Sequence, residues 1–211
     1  MKKYISRFHY LTQDLPHRSH IEQTEIACKA GANWVQYRCF SKPDEEMIQE
    51  LHQVASICDD WGATLILTDH YHLLDKVDAQ GVHIEDMQAD FVQIRKIISD
   101  EKTLGASANT IANIERISKS GVVDYAGCGP FAHTDTKPND LPLLGTEGYR
   151  EISTKMKALN IDLPILAIGG VKSEDTEALM QSGIYGIAVS SAINLAENPA
   201  EAIKDFYKKI Y

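Results

Sequence analysis

Gln36, Arg38, Asp69, His83, Glu85, Asp86, Ser107 and the run His133-Thr-Asp-Thr-Lys137 share one place in the rhythm of the chain. Each stands at, or just past, the C-terminal end of an apolar run. A guanidinium and an ammonium can hold phosphoryl oxygens, carboxylates suit a hard divalent cation, and amides and hydroxyls can orient a polar ring. Two further runs end in small residues: Pro164-Ile-Leu-Ala-Ile-Gly-Gly170 and Gly186-Ile-Ala-Val-Ser-Ser191. Small residues at the end of a buried strand let a phosphate approach backbone N–H groups, and a following helix adds its positive N-terminal dipole. The spacing points to a small phosphorylated ligand.

Such residues converge only if the strands carrying them lie side by side. Apolar, β-branched runs at Phe8–Thr12, Trp34–Cys39, Thr64–Thr68, Gly81–Ile84, Thr103–Ser107, Asp124–Cys128, Pro164–Ile168 and Gly186–Val189 read as eight strands. Amphipathic stretches alternate with them, such as Pro43–Asp60 with Met47, Leu51, Val54 and Cys58 on one face, and Ala89–Ser99 with Phe91, Ile94 and Ile98. Glycines at 31, 121 and 183 close helices ahead of the next strand. Alternation implies a parallel sheet, and eight repeats favour closure into a single α/β domain over 1–211, a (β/α)8 TIM barrel. An open dinucleotide-binding sheet would place G-x-G-x-x-G after the first strand, and that turn is missing. In such a barrel the C-terminal strand ends face the active site, and the last two βα turns commonly make the phosphate cup.

Composition narrows the class further. With 44% hydrophobic and 24% charged residues the chain has an ordinary globular makeup, and no apolar run is long enough to span a membrane. A net charge of −9 argues against nucleic acid or an anionic membrane as partner, so an anionic substrate needs local cations and dipoles. The N-terminal Met-Lys-Lys-Tyr-Ile lacks an apolar signal core, and Cys28, Cys39, Cys58 and Cys128 lack C-x-x-C spacing; reduced thiols in the cytoplasm are expected. His83 reads as a hydrogen-bonded group within the barrel mouth, and His70-Tyr-His72 as the exposed start of a helix.

Taken in order, Gln36-x-Arg38, Asp69, Gly81-Val-His83, Gly105-x-Ser107, Asp124 to Gly129-Pro130, Thr134-x-Thr136-Lys137, Pro142-Leu-x-Gly145, Ile168-Gly-Gly170 and Ala188–Ile193 resemble thiamine-phosphate synthase and its relative, the thiazole tautomerase, over almost the whole chain. The resemblance implies a transferase that joins an aminopyrimidine methyl diphosphate to a thiazole phosphate, often a carboxylate, with release of diphosphate aided by Mg2+. Carried across by position, Gln36 contacts the pyrimidine, Arg38 and Lys137 hold diphosphate oxygens, and Ser107 sits between pyrimidine and diphosphate. Asp69 is the implied metal ligand. Thr134 and Thr136 meet the thiazole carboxylate, while Gly169, Gly170, Ser190 and Ser191 cup the thiazole phosphate.

Three departures fall on the diphosphate and metal side. Phe40 stands where the family usually has lysine, Thr68 where it has asparagine, and Gln88 where it has a second metal carboxylate. Glu85 and Asp86 are near enough in sequence to supply the missing ligand. The thiazole-phosphate half is intact, which keeps two alternatives open: a tautomerase-like isomerase and a non-catalytic thiazole-phosphate-binding paralogue. The tautomerase histidine corresponds to Pro130; His133 could carry the proton instead, and a solvated surface histidine is its simpler reading. Subunit association, including a homo-oligomer, is left open by the sequence.

Overall fold

The computed structural model describes residues 3–134 and 141–211. Eight parallel strands pair each with the next, and β8 pairs with β1, so the sheet closes. They are β1 Phe8–Leu11, β2 Trp34–Tyr37, β3 Thr64–Thr68, β4 Gly81–Ile84, β5 Thr103–Ala108, β6 Tyr125–Cys128, β7 Ile165–Ile168 and β8 Gly186–Val189. The helices are α1 His20–Lys29, α2 Asp44–Asp60, α3 Phe91–Ile98, α4 Ile111–Ser120, α5 Gly145–Ala158, α6 Thr176–Gln181, α7 Ser191–Asn194 and α8 Pro199–Ile210. The expected (β/α)8 barrel is present.

The two-residue period of a strand sorts its side chains between two cores. Tyr10, Val35, Tyr37, Leu65, Leu67, Val82, Leu104, Ala126, Ala167 and Ile187 join the outer core under the helices. Leu11, Trp34, Ile66, Tyr125, Leu166 and Ala188 fill the barrel interior. His9 stacks on Trp34 there, with ring centroids 4.3 Å apart and planes 14° from parallel. The Tyr125 ring needs the space left at Gly105, where an added Cβ would stand 2.2 Å from the ring.

Several boundaries differ from the sequence expectation. β1 and β2 end sooner, at Leu11 and Tyr37, with Thr12, Arg38 and Cys39 already past the strand ladder. Asp124 lies just before β6, where its Oδ2 accepts from Lys3 Nζ at 3.1 Å, Arg95 Nη2 at 2.8 Å and Leu104 N at 2.8 Å. It therefore pins the N-terminal end of the barrel, far along the strands from the chemistry. The third crossover contains a single 3-10 turn, Tyr71–Leu73, in place of an α-helix. His70 precedes that turn and bonds Cys39 O through Nε2 at 2.9 Å, while exposed His72 meets Asp44 at 2.9 Å. Among the described residues no helix is long and apolar enough to cross a membrane.

Candidate active site

Strand periodicity carries Gln36, Thr68, His83 and Ser107 to the uppermost inward positions of β2 to β5. Gln36 Nε2 donates to Thr68 Oγ1 at 2.9 Å, so the threonine found in place of asparagine holds the amide that the sequence assigned to the pyrimidine. His83 bridges two strands: Nδ1 lies 3.2 Å from Tyr125 Oη and Nε2 lies 3.1 Å from Ser107 Oγ. Gly127 leaves room for this imidazole, since a Cβ there would lie 3.2 Å from His83 Cε1. The sequence reading of His83 as a hydrogen-bonded group in the mouth holds.

Above this layer lies a cavity of about 180 Å3, lined by Leu11, Arg38, Glu85, Met87, Ser107, Gly127, Gly129, Pro130, Thr134, Leu141, Ile168, Gly169, Gly170, Val171 and Ser190, Ser191 among others. Its lining is mostly apolar with a few convergent polar groups, the usual character of a small-molecule site. One wall is made by backbone continuing past the strands: Phe131 N donates to Ile168 O and Ala132 N to Gly169 O, both at 2.9 Å. Gly169 and Gly170 have φ of 87° and 72°. A Cβ on Gly170 would fall 2.6 Å from His133 O and 2.7 Å from Ala132 O. These glycines are needed for the close approach of the β6 loop.

The opposite lip is the start of α7. Ser190 precedes it with no side-chain cap, and helix geometry leaves the first-turn N–H groups at Ser191 and Ala192 without intrahelical acceptors. Across the mouth, Arg38 Nε pairs with Glu85 Oε1 at 2.7 Å, both side chains mostly buried at 14% and 16% exposure. The guanidinium also lies 4.7 Å from the centre of the Phe40 ring, a cation–π contact that the sequence reading did not foresee. Asp69 follows β3 with φ of 59°, and its Oδ1 accepts from Glu85 N at 2.7 Å.

The cavity thus gathers Arg38, Glu85, Ser107, Thr134, Gly169, Gly170, Ser190 and Ser191, with Gln36 directly beneath and Asp69 joined through Glu85. Two candidates stand apart. Asp86 is exposed and closes a local turn, its Oδ1 accepting from Gln88 N at 2.8 Å. His133 is exposed and is not part of the cavity wall. Thr136 and Lys137 lie outside the described residues.

A closed parallel barrel whose cavity is lined by glycine and serine after β7 and β8, with an arginine–carboxylate pair across the mouth, defines the class of (β/α)8 barrels that gather a site at the C-terminal ends of their strands. Within that class, the family model described as thiamine monophosphate synthase matches residues 10–193. A thiamine-phosphate synthase of Phocaeicola vulgatus is 39% identical over 186 residues, covering 88% of this chain and 89% of the relative. One from Flavobacterium johnsoniae is 33% identical over 208 residues, covering 98% and 97%. The solved thiamine phosphate pyrophosphorylase from Pyrococcus furiosus superposes with a TM-score of 0.83 at 25% identity, covering 97% of this chain and 95% of that one. The chain belongs to the thiamine monophosphate synthase family.

Proposed function

We propose that the chain couples an aminopyrimidine methyl diphosphate to a thiazole phosphate, releasing pyrophosphate and forming thiamin phosphate. The observation that carries this reading is one cavity with two anion-compatible ends: the β7–β8 cup on one side and Arg38 on the other. In the proposed reaction the bond between the pyrimidine methylene and the diphosphate oxygen breaks, with its electrons leaving on diphosphate. The thiazole nitrogen then bonds to the methylene carbon. Arg38 and Lys137 stabilise charge growing on the leaving group, Gln36 and Ser107 orient the pyrimidine, and Thr134 and Thr136 receive the thiazole end. The cup at Gly169, Gly170, Ser190 and Ser191 anchors the thiazole phosphate.

The donor set near Arg38 fits Mg2+, an ion that takes one or two carboxylates and completes its shell with water and substrate phosphates. Asp69 and Glu85, linked by a 2.7 Å hydrogen bond, would hold it. Bound there it would supply positive charge to the departing diphosphate. Gln88 and Asp86 are exposed residues of the following turn, so Glu85 is the better replacement for the missing second carboxylate.

The isomerase and binding-only alternatives are not favoured. Matched relatives carry the synthase name, and Pro130, which stands at the tautomerase histidine's position, has no proton to exchange. Purified protein given both substrates and magnesium should release pyrophosphate, and omission of either organic substrate should abolish release. No release above background with all components present would overturn the proposal.

A further inference from the structure

Arg38 is held at two levels, and the lower one lies outside the cavity. Its backbone N–H donates to Thr12 Oγ1 at 3.0 Å. Thr12 is buried, and its hydroxyl also lies 2.7 Å from His20 Nδ1. The other ring nitrogen, His20 Nε2, lies 3.0 Å from Asp14 Oδ1. Asp14 in turn accepts from Phe40 N and from Ser41 Oγ, both at 2.9 Å. Three elements therefore meet on the turn that carries Arg38: the end of β1, the first residue of α1, and the β1–α1 loop.

The directions of these bonds follow from their chemistry. An ionised carboxylate only accepts, so His20 Nε2 must carry a proton toward Asp14. A neutral ring then presents Nδ1 as an acceptor, and only the Thr12 hydroxyl can supply that proton. The Thr12 oxygen is left as the acceptor for the Arg38 N–H. The result is a one-way chain running from Arg38 N–H through the Thr12 hydroxyl to His20 Nδ1, with His20 Nε2–H donating to Asp14. Protonation of His20 would put a second donor against Thr12 and leave the hydroxyl proton without its target.

We propose that Thr12, neutral His20 and Asp14 form a positioning network that sets the Arg38 turn for binding of the pyrimidine diphosphate. The inference rests on the assignment of Arg38 to the diphosphate made above. Phe40 has a double part: its amide is tied to Asp14 and its ring supports the Arg38 guanidinium. The neutral state of His20 suits its surroundings. Tyr37 lies with its ring 4.7 Å from the imidazole. Burial, the largest influence, lowers the His20 pKa; Glu50 of α2 and Asp14 oppose it, and Lys42 adds to it. Cys39, also in this cluster, is held as a thiol by burial. Asp14 stays ionised, its pKa brought down to about 2: burial, the largest influence, acts upward, and the Phe40 amide, His20 and Ser41 outweigh it.

The first test uses the wild-type protein with 15N-labelled histidine. At pH 7 the His20 nitrogen shifts should report a neutral ring protonated on Nε2; a ring protonated on Nδ1, or a cationic one, overturns the network whatever the enzyme's substrate proves to be. The second uses steady-state kinetics of pyrophosphate release. Thr12→Val keeps the shape and removes the hydroxyl, and should lower kcat/KM for the pyrimidine diphosphate by about 10-fold to 100-fold. KM for the thiazole phosphate should move by less than about twofold, since the β7–β8 cup is untouched. Thr12→Ser should restore most of the loss. Unchanged kinetics in Thr12→Val, or equal losses for both substrates without rescue by serine, would contradict a positioning role. Failure of the wild-type enzyme to release pyrophosphate would instead strike the functional reading and leave the tautomer result standing.

Discussion

Glu85 has two demands on it: its carboxylate pairs with Arg38 at 2.7 Å and its amide fixes Asp69. Removing its charge while keeping its shape should therefore loosen the arginine and, on the proposed reading, weaken the Mg2+ site. Glu85→Gln is expected to raise the magnesium concentration giving half-maximal pyrophosphate release by about tenfold or more, in the range usual for residues that orient metal ligands. An unchanged magnesium requirement would take Glu85 out of the metal's surroundings. Gly170 offers a different kind of test. With φ of 72° and two carbonyl oxygens within 2.7 Å of an added Cβ, Gly170→Ala should cost about 1–3 kcal/mol of stability, read as a lowered midpoint in chemical denaturation. The same variant should weaken thiazole-phosphate binding, because the β6 loop that walls the cup must shift.

Individual elements carry the precision of these contacts. α1 starts at His20 because Ser19 caps it: Ser19 Oγ accepts from Glu22 N at 3.2 Å, and Glu22 Oε2 accepts from Ser19 N at 2.8 Å. Ser19→Ala should lose about 1 kcal/mol, which for a chain of this size lowers the thermal midpoint by about 2–4 °C. The strands were legible in the sequence as short apolar, β-branched runs because both faces of a parallel barrel strand are buried, as at Trp34-Val-Gln-Tyr37. That Gly169, Gly170, Ser190 and Ser191 line the cavity was legible because they directly follow buried apolar strands, whose C-terminal ends meet at the mouth of the barrel. What the sequence hid was pairing between crossovers. Nothing in Thr12, Asp14 or His20 alone announces that they converge beneath Arg38, since α1 beyond His20 and the whole of β2 lie between them and Arg38 in the chain. Asp86 looked equivalent to Glu85 as a ligand, yet the turn after β4 faces one toward Arg38 and leaves the other in solvent. A helix was expected to start at His70-Tyr-His72, and a 3-10 turn suffices there because the connection from β3 to β4 is short.

At the scale of the molecule, two buried imidazoles link folding to pH. Burial holds His9 well below the ordinary 6.5 and lowers His20 as well. Below pH 6.5 the unfolded chain takes up protons at these sites that the folded chain does not, so stability must fall with falling pH in that window. The contribution is complete above 6.5 and is lost as pH drops toward the folded values. Asp14 acts in the same sense further down: its benefit is full above the ordinary 3.8 and disappears as pH approaches about 2. Urea midpoints measured from about pH 7.5 to about pH 5 should decline, and a flat or rising series would show that the two histidines are not held neutral. With an overall charge of −9, phosphorylated substrates gain nothing from the protein's net charge, so the proposed reading requires local positive charge and backbone dipoles at the cavity.

The division of one cavity into a diphosphate end and a phosphate end is the claim on which the rest depends. A crystal structure of the protein with magnesium, pyrophosphate and thiazole phosphate tests it directly. The expected result is pyrophosphate against Arg38 with the metal on Asp69 and Glu85, and the thiazole phosphate on the backbone amides after β7 and β8. Both anions stacked at one end, or the cup filled by side chains with the thiazole phosphate bound elsewhere, would contradict it.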